Sequence, residues 1–181
     1  MIYFSNVSYL ISHLFLMLFL YLFITHRYSK TVTRWICISS FLILTVTDII
    51  KLNMYPDSDA SYFFVTVFQI VVTQSTGILI SKKRNTKVLF MGLSASNYVI
   101  IGSVFAAILN IYTGQMFPAL AVSFVVHTIL LYILYKNIHE IWIRQYEKEY
   151  TKGWWKLCLI PVFFYCSFSF VAFFPRTLYE D

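Results

Sequence analysis

Charge is what this 181-residue chain has least of. Asp, Glu, Lys and Arg together make 12% of the residues, against 59% hydrophobic and 20% aromatic, and the mean hydropathy is +0.71. A soluble fold of this length would have too little polar surface to cover itself, so the composition excludes that class and makes an integral membrane protein the default. Negative charge is scarcer still, with 8 acidic residues against 14 basic, net charge +6 and pI about 9.2. That balance would suit a polyanion, but in so apolar a chain no nucleic-acid partner is expected.

Most chemical signatures are missing as well. There is no CxxC, HExxH, GxSxG, P-loop or GxGxxG, so the sequence offers no cofactor and no metal site. The three cysteines, Cys37, Cys158 and Cys166, all fall in apolar stretches and read as small packing residues, not as a disulfide framework. Period-two alternation is absent, which excludes an outer-membrane barrel. The N-terminus has neither the basic flank nor the small-residue cleavage site of a secretory signal, so its apolar stretch reads as a retained span.

What is present is six apolar windows near the ~20 residues that a helix needs to cross a bilayer. They cover residues 5–25, 35–51, 61–80, 88–112, 118–135 and 154–174 of a single domain, 1–181. The fold class expected is all-α, a polytopic bundle of six transmembrane helices. Basic residues then fix its orientation. Arg27, Lys30 and Arg34 lie between the first two spans, Lys82, Lys83, Arg84 and Lys87 between the third and fourth, and Lys136, Arg144, Lys148, Lys152 and Lys156 around the fifth connection. Twelve of the fourteen cations thus share one side, leaving Lys51 and Arg176 on the other. The positive-inside rule places that side in the cytoplasm and both termini outside. The first two clusters act as topology anchors, because threading four cations through the bilayer would cost about 2.5–3.5 kcal/mol each. All four tryptophans (Trp35, Trp142, Trp154, Trp155) fall at the inner boundary, as an interfacial aromatic belt would. Beyond the fifth span, residues 136–153 read as an inward helical extension along the membrane surface, with Ile138, Ile141, Trp142 and Tyr146 on one face and a Glu140–Arg144 pair on another.

Polar residues inside the spans are the remaining signal, since hydrocarbon drives them toward the bundle interior. The third span carries Thr66, Gln69, Thr73 and Thr76 as one stripe. The fourth carries Gly92, Ser96, Ser103 and Ala107 as two small-xxx-small pairs, with Asn97 and Asn110. His13 and His127 lie at bilayer depth, where hydrogen-bonded neutral imidazole is the commoner state and a ligand or relay role the alternative. Asp48 lies one turn from Lys51 and is expected to form a snorkelling pair near the outer surface, within reach of an extracellular signal. Pro161 is expected to kink the last helix. Candidate ligand or signal-transmission residues are therefore His13, Asp48, Gln69, Asn97, Asn110, His127 and Pro161; no catalytic residue is assigned.

Residues 81–175 add a resemblance. The block SKKRNTKVLFMGLSASNYVIIGSVFAAILNIYTG, then HTILLYILYK and GWWKLCLIPVFFYCSFSFVAFFP, resembles the membrane-embedded sensor region of bacterial receptor histidine kinases with a GHKL-type ATPase domain, the accessory-gene-regulator-like receptors. The last motif, with Gly153, Trp154, Leu157, Ile160, Pro161, Phe164, Tyr165 and Pro175, is the most telling. The resemblance implies a signal-receiving bundle in the bacterial plasma membrane, usually homodimeric, that controls a cytoplasmic kinase region in cis and a response regulator downstream. Its signal would be a peptide or small molecule. This stretch holds no phosphoacceptor helix or nucleotide motif, so the chain by itself is not expected to be an enzyme. Two other classes fit six short helices: a substrate-capturing subunit of a vitamin-type importer, which would want cytoplasmic termini, and a membrane peptidase, for which His26 and Cys37 are the nearest pair.

Overall fold

A computed structural model describes residues 2–54, 59–148 and 152–173, with side chains apart from those of 2–6, 52, 54, 59–62 and 168–173. Residues 55–58 and the tail that holds Arg176 lie outside these residues. Six helices follow one another: α1 (Ile2–Phe23), α2 (Lys30–Met54), α3 (Asp59–Ile80), α4 (Thr86–Thr113), α5 (Met116–Glu147) and α6 (Trp154–Phe173). No strand occurs among the described residues beyond one isolated bridge, His26 to Ser81. Each apolar window became a helix with ends within five residues of its own, the fifth excepted. There α5 runs 32 residues, about 48 Å at 1.5 Å per residue, well past the ~30 Å of hydrocarbon.

The helix ends have local causes. Asn85 opens α4 by accepting the Lys87 N–H at 3.1 Å, an N-cap that satisfies one of the first unpaired amides. Gly114 closes it at φ 64, its N–H returned to Asn110 O, a left-handed cap that a side chain would strain. Gly153, at φ 86, makes the corresponding turn into α6.

Helices α2, α3, α4 and α5 are long and apolar enough to cross a membrane; α1 and α6 add the shorter apolar stretches Val7–Phe23 and Trp154–Ser167. Large apolar side chains cover the outside, among them Phe163, Phe64 and Ile111, each more than 60% exposed. So continuous an apolar surface belongs against lipid. Helices α1 and α4 pack against each other at the centre. Helices α2 and α3 complete a four-helix ring with them, α5 covers the other side of α1 and α4, and α6 packs on α4.

The two halves of the bundle differ. Toward the basic end, Phe15, Leu16, Met17, Phe19, Leu20 and Phe23 of α1 are all buried, against Leu44, Ile80, Val88, Met91, Ala95 and Tyr98. The loops there are joined by backbone hydrogen bonds, Arg27 N–H to Ile80 O at 2.8 Å and Lys82 N–H to Thr25 O at 2.9 Å. The tail of α5 closes over them. Trp142 donates its indole N–H to Phe23 O at 2.9 Å, and the Tyr146 hydroxyl meets Ser81 and donates to Lys83 O at 3.0 Å.

Three expectations change here. Lys87 does not stand in water: it is fully buried. Its ammonium donates to Gln145 O at 2.8 Å and Lys148 O at 2.6 Å, over the Trp154 ring, while Lys83 donates to Glu147 O. Both cations thus meet the unpaired carbonyls and negative pole at the end of α5, compensation enough to draw a lysine out of solvent. The tryptophans do not form one belt, since Trp142 is buried while Trp35 and Trp155 face outward. The apolar face of the α5 extension is likewise divided: Trp142 and Tyr146 turn into the core, Ile138 and Ile141 stay exposed, and the segment continues α5 without a break. The Glu140–Arg144 pair forms at 2.5 Å.

Candidate functional site

At the other half the four-helix ring lines a partly open chamber of about 390 Å³, within the range of small-molecule sites. Every ring helix contributes: Ser12 and His13 from α1, Leu44, Asp48 and Lys51 from α2, Thr66, Gln69 and Thr73 from α3, Ser96, Ser103 and Ala107 from α4, with Tyr165 of α6 at the side. The α3 stripe and the small residues of α4 therefore face each other across one space. Thr76, the last member of the stripe, instead donates to Ser40 at 2.7 Å, and Gly92 packs on Gln74.

The polar centre of the chamber is Asp48. One carboxylate oxygen meets His13 Nε2 and the other accepts from Gln69 Nε2 at 2.6 Å. Three candidates, 21 and 35 positions from Asp48 in the chain, are thus brought together. Only about 9% of the His13 side chain and 6% of the Asp48 side chain is exposed. A carboxyl group whose two oxygens are both hydrogen-bonded is satisfied in such a place, and a neutral imidazole that donates to it carries its proton on Nε2. The expected snorkelling pair at the outer surface is replaced by this arrangement. Asp48 faces the chamber, and Lys51 is itself 3% exposed, with its ammonium over the Tyr9 ring.

The other candidates lie elsewhere. His127, completely buried, stacks on Phe15 and meets the Tyr98 ring edge-on; its ring nitrogens face Ser123 O at 2.8 Å and Val99 O at 3.1 Å. A side chain at Gly102 would collide with that ring, so His127 and Gly102 form a packing lock between α4 and α5. Asn97 donates to Pro161 O at 2.9 Å and ties α4 to α6, which runs helical through the proline. Asn110 is half-buried near the α4 C-terminus, away from the chamber. Cys37 is buried in the core, whereas the His26 ring turns to Tyr21 O at 2.8 Å.

Sequence reasoning missed Gln74, whose amide is buried without a hydrogen-bond partner among the described residues; its signal was a second glutamine on α3, one step outside the stripe. Among the described residues no group of three His, Cys, Asp or Glu side chains is placed to hold a metal, and no hydroxyl or thiol hydrogen-bonds the His13 ring. Comparison with protein-family models, with curated proteins and with solved structures gives no match.

Proposed function

We propose that the chain is the signal-receiving module of a membrane receptor: a bundle that crosses the bilayer six times, termini outside, and passes the state of its chamber to a catalytic region on the cytoplasmic side. The observation that carries this reading is the chamber itself. An occupant would touch α1, α2, α3 and α4 together, and two pairs of these helices are joined through the loops at the basic end, so a change in their packing reaches the end where twelve cations gather. The likeness of residues 81–175 to GHKL-type receptor kinases supplies the output, a histidine kinase region in cis acting on a response regulator, with the homodimer as working unit and the bacterial plasma membrane as location. In that reading the chain holds no catalytic residue of its own.

The same chamber also suits a substrate-capturing importer subunit, and the two readings part on simple observations. Translating the coding frame past Asp181 is expected to give a further span, a linker and an ATP-binding domain. A stop codon there, together with termini reached by probes only from the cytoplasm and a vitamin-sized molecule co-purifying at one per chain, would replace the receptor reading with the importer.

A further inference from the structure

Taking the chamber as the receiving site, as proposed above, we infer its ligand class: a small, uncharged, mostly apolar molecule bearing an N–H or O–H hydrogen-bond donor. The inference comes from where the protons of the lining groups already go. Thr73 donates its hydroxyl proton to Gln69 O at 2.8 Å and Ser96 to Gly92 O at 3.2 Å, while Ser103 lies 2.9 Å from Val99 O and 2.8 Å from the Ser12 hydroxyl. The first two hydroxyls turn their protons back to their own helix and keep only lone pairs for the chamber, and the third is engaged within the bundle.

The Asp48 cluster tells the same story. Gln69 has given one of its two amide protons to Asp48, leaving its carbonyl oxygen as an acceptor beside the second N–H. His13 turns Nε2 to Asp48, so in the neutral ring Nδ1 is a lone pair without a hydrogen-bond partner among the described residues, on a side chain that is nine-tenths buried. On the wall formed by these groups lone pairs outnumber donors, the Lys51 ammonium lying over the Tyr9 ring; that wall stabilises a ligand that brings donors and disfavours one that sets lone pairs against it, because acceptor against acceptor leaves both desolvated and unpaired. Charge narrows the class further. Asp48 and Lys51 both line the chamber and are opposite in charge, so neither a cation nor an anion finds net compensation there, and most of the remaining wall is aliphatic, from Leu16, Leu44, Val65, Ile70, Ile100 and Val104.

A matched pair of probes isolates the donor: 4-propylphenol, and 4-propylanisole, in which the same oxygen carries a methyl group. Each is dialysed to equilibrium against the full chain in nanodiscs, with empty nanodiscs subtracting partition into lipid. The phenol is expected to bind one per chain and at least about tenfold tighter than the anisole. Ala107→Phe, which fills the chamber, should remove both, and His13→Phe should remove the preference. Should His13→Phe fail to reconstitute, the ring ¹⁵N resonance of His13 in the unaltered chain gives the same answer: it is expected to move with the phenol and not with the anisole. Equal binding of both probes, abolished by Ala107→Phe, overturns the donor assignment and leaves the chamber as receiving site. Binding of neither, or binding indifferent to Ala107→Phe, overturns both.

Discussion

Asp48 holds the polar wall of the chamber together, and its replacement separates two physical effects. Asp48→Ala leaves the His13 ring and the Gln69 amide buried without their acceptor, a loss expected to lower stability by about 3–5 kcal/mol, measured as a shift in the unfolding equilibrium in mixed micelles. Replacing His13, Asp48 and Gln69 all by leucine removes the stranded partners too and is expected to cost much less than that single change. Gln74 gives the opposite sign. Its amide already lacks a partner among the described residues, so Gln74→Met, nearly the same shape without the polar atoms, is expected to raise stability by about 1–2 kcal/mol. The sequence showed that Gln69 and His13 were each costly in hydrocarbon and so turned inward, whereas Asp48 read as a snorkelling partner of Lys51 near the outer surface. It did not show that the three meet, because facing inward is a property of one helix and meeting depends on which helices are neighbours.

The element most dependent on a distant residue is the end of α5. Lys87→Met removes a buried ammonium from the carbonyls of Gln145 and Lys148. Charged hydrogen bonds of this kind contribute about 1.5–3 kcal/mol, so amide exchange in residues 142–147 is expected to speed up by roughly tenfold or more, since each 1.4 kcal/mol is a factor of ten, with little change in α2. Unchanged exchange there would mean that Trp142 and Tyr146 hold the tail unaided. Helix existence and ends were legible because apolar length and caps are local. The burial of Lys87 was not, since hydropathy assigns any lysine to water and the compensating carbonyls lie some 60 residues away along the chain. For the same reason Trp142 was read as part of a belt: periodicity gives a face, and only the docking of α5 onto Phe23 decides that this face is inside.

At the scale of the whole molecule, twelve of fourteen cations at one end predict a definite labelling pattern. In a background without Cys37, Cys158 and Cys166, a thiol introduced as Thr113→Cys is expected to react with an impermeant reagent in intact cells, and one introduced as Arg84→Cys only after the membrane is opened. The reverse pattern would invert the bundle and remove the support for an outside signal. The unequal halves have a further consequence, in volume. A packed half changes little when squeezed, whereas a half that holds an internal space loses that space on collapse, and hydrostatic pressure favours whichever state occupies less volume. Pressure should therefore act on this protein from one end, shifting the resonances of His13 and Gln69 while the buried Trp142 still reports an intact core. The bundle would then respond to compression as two materials joined end to end, one nearly incompressible and the other soft.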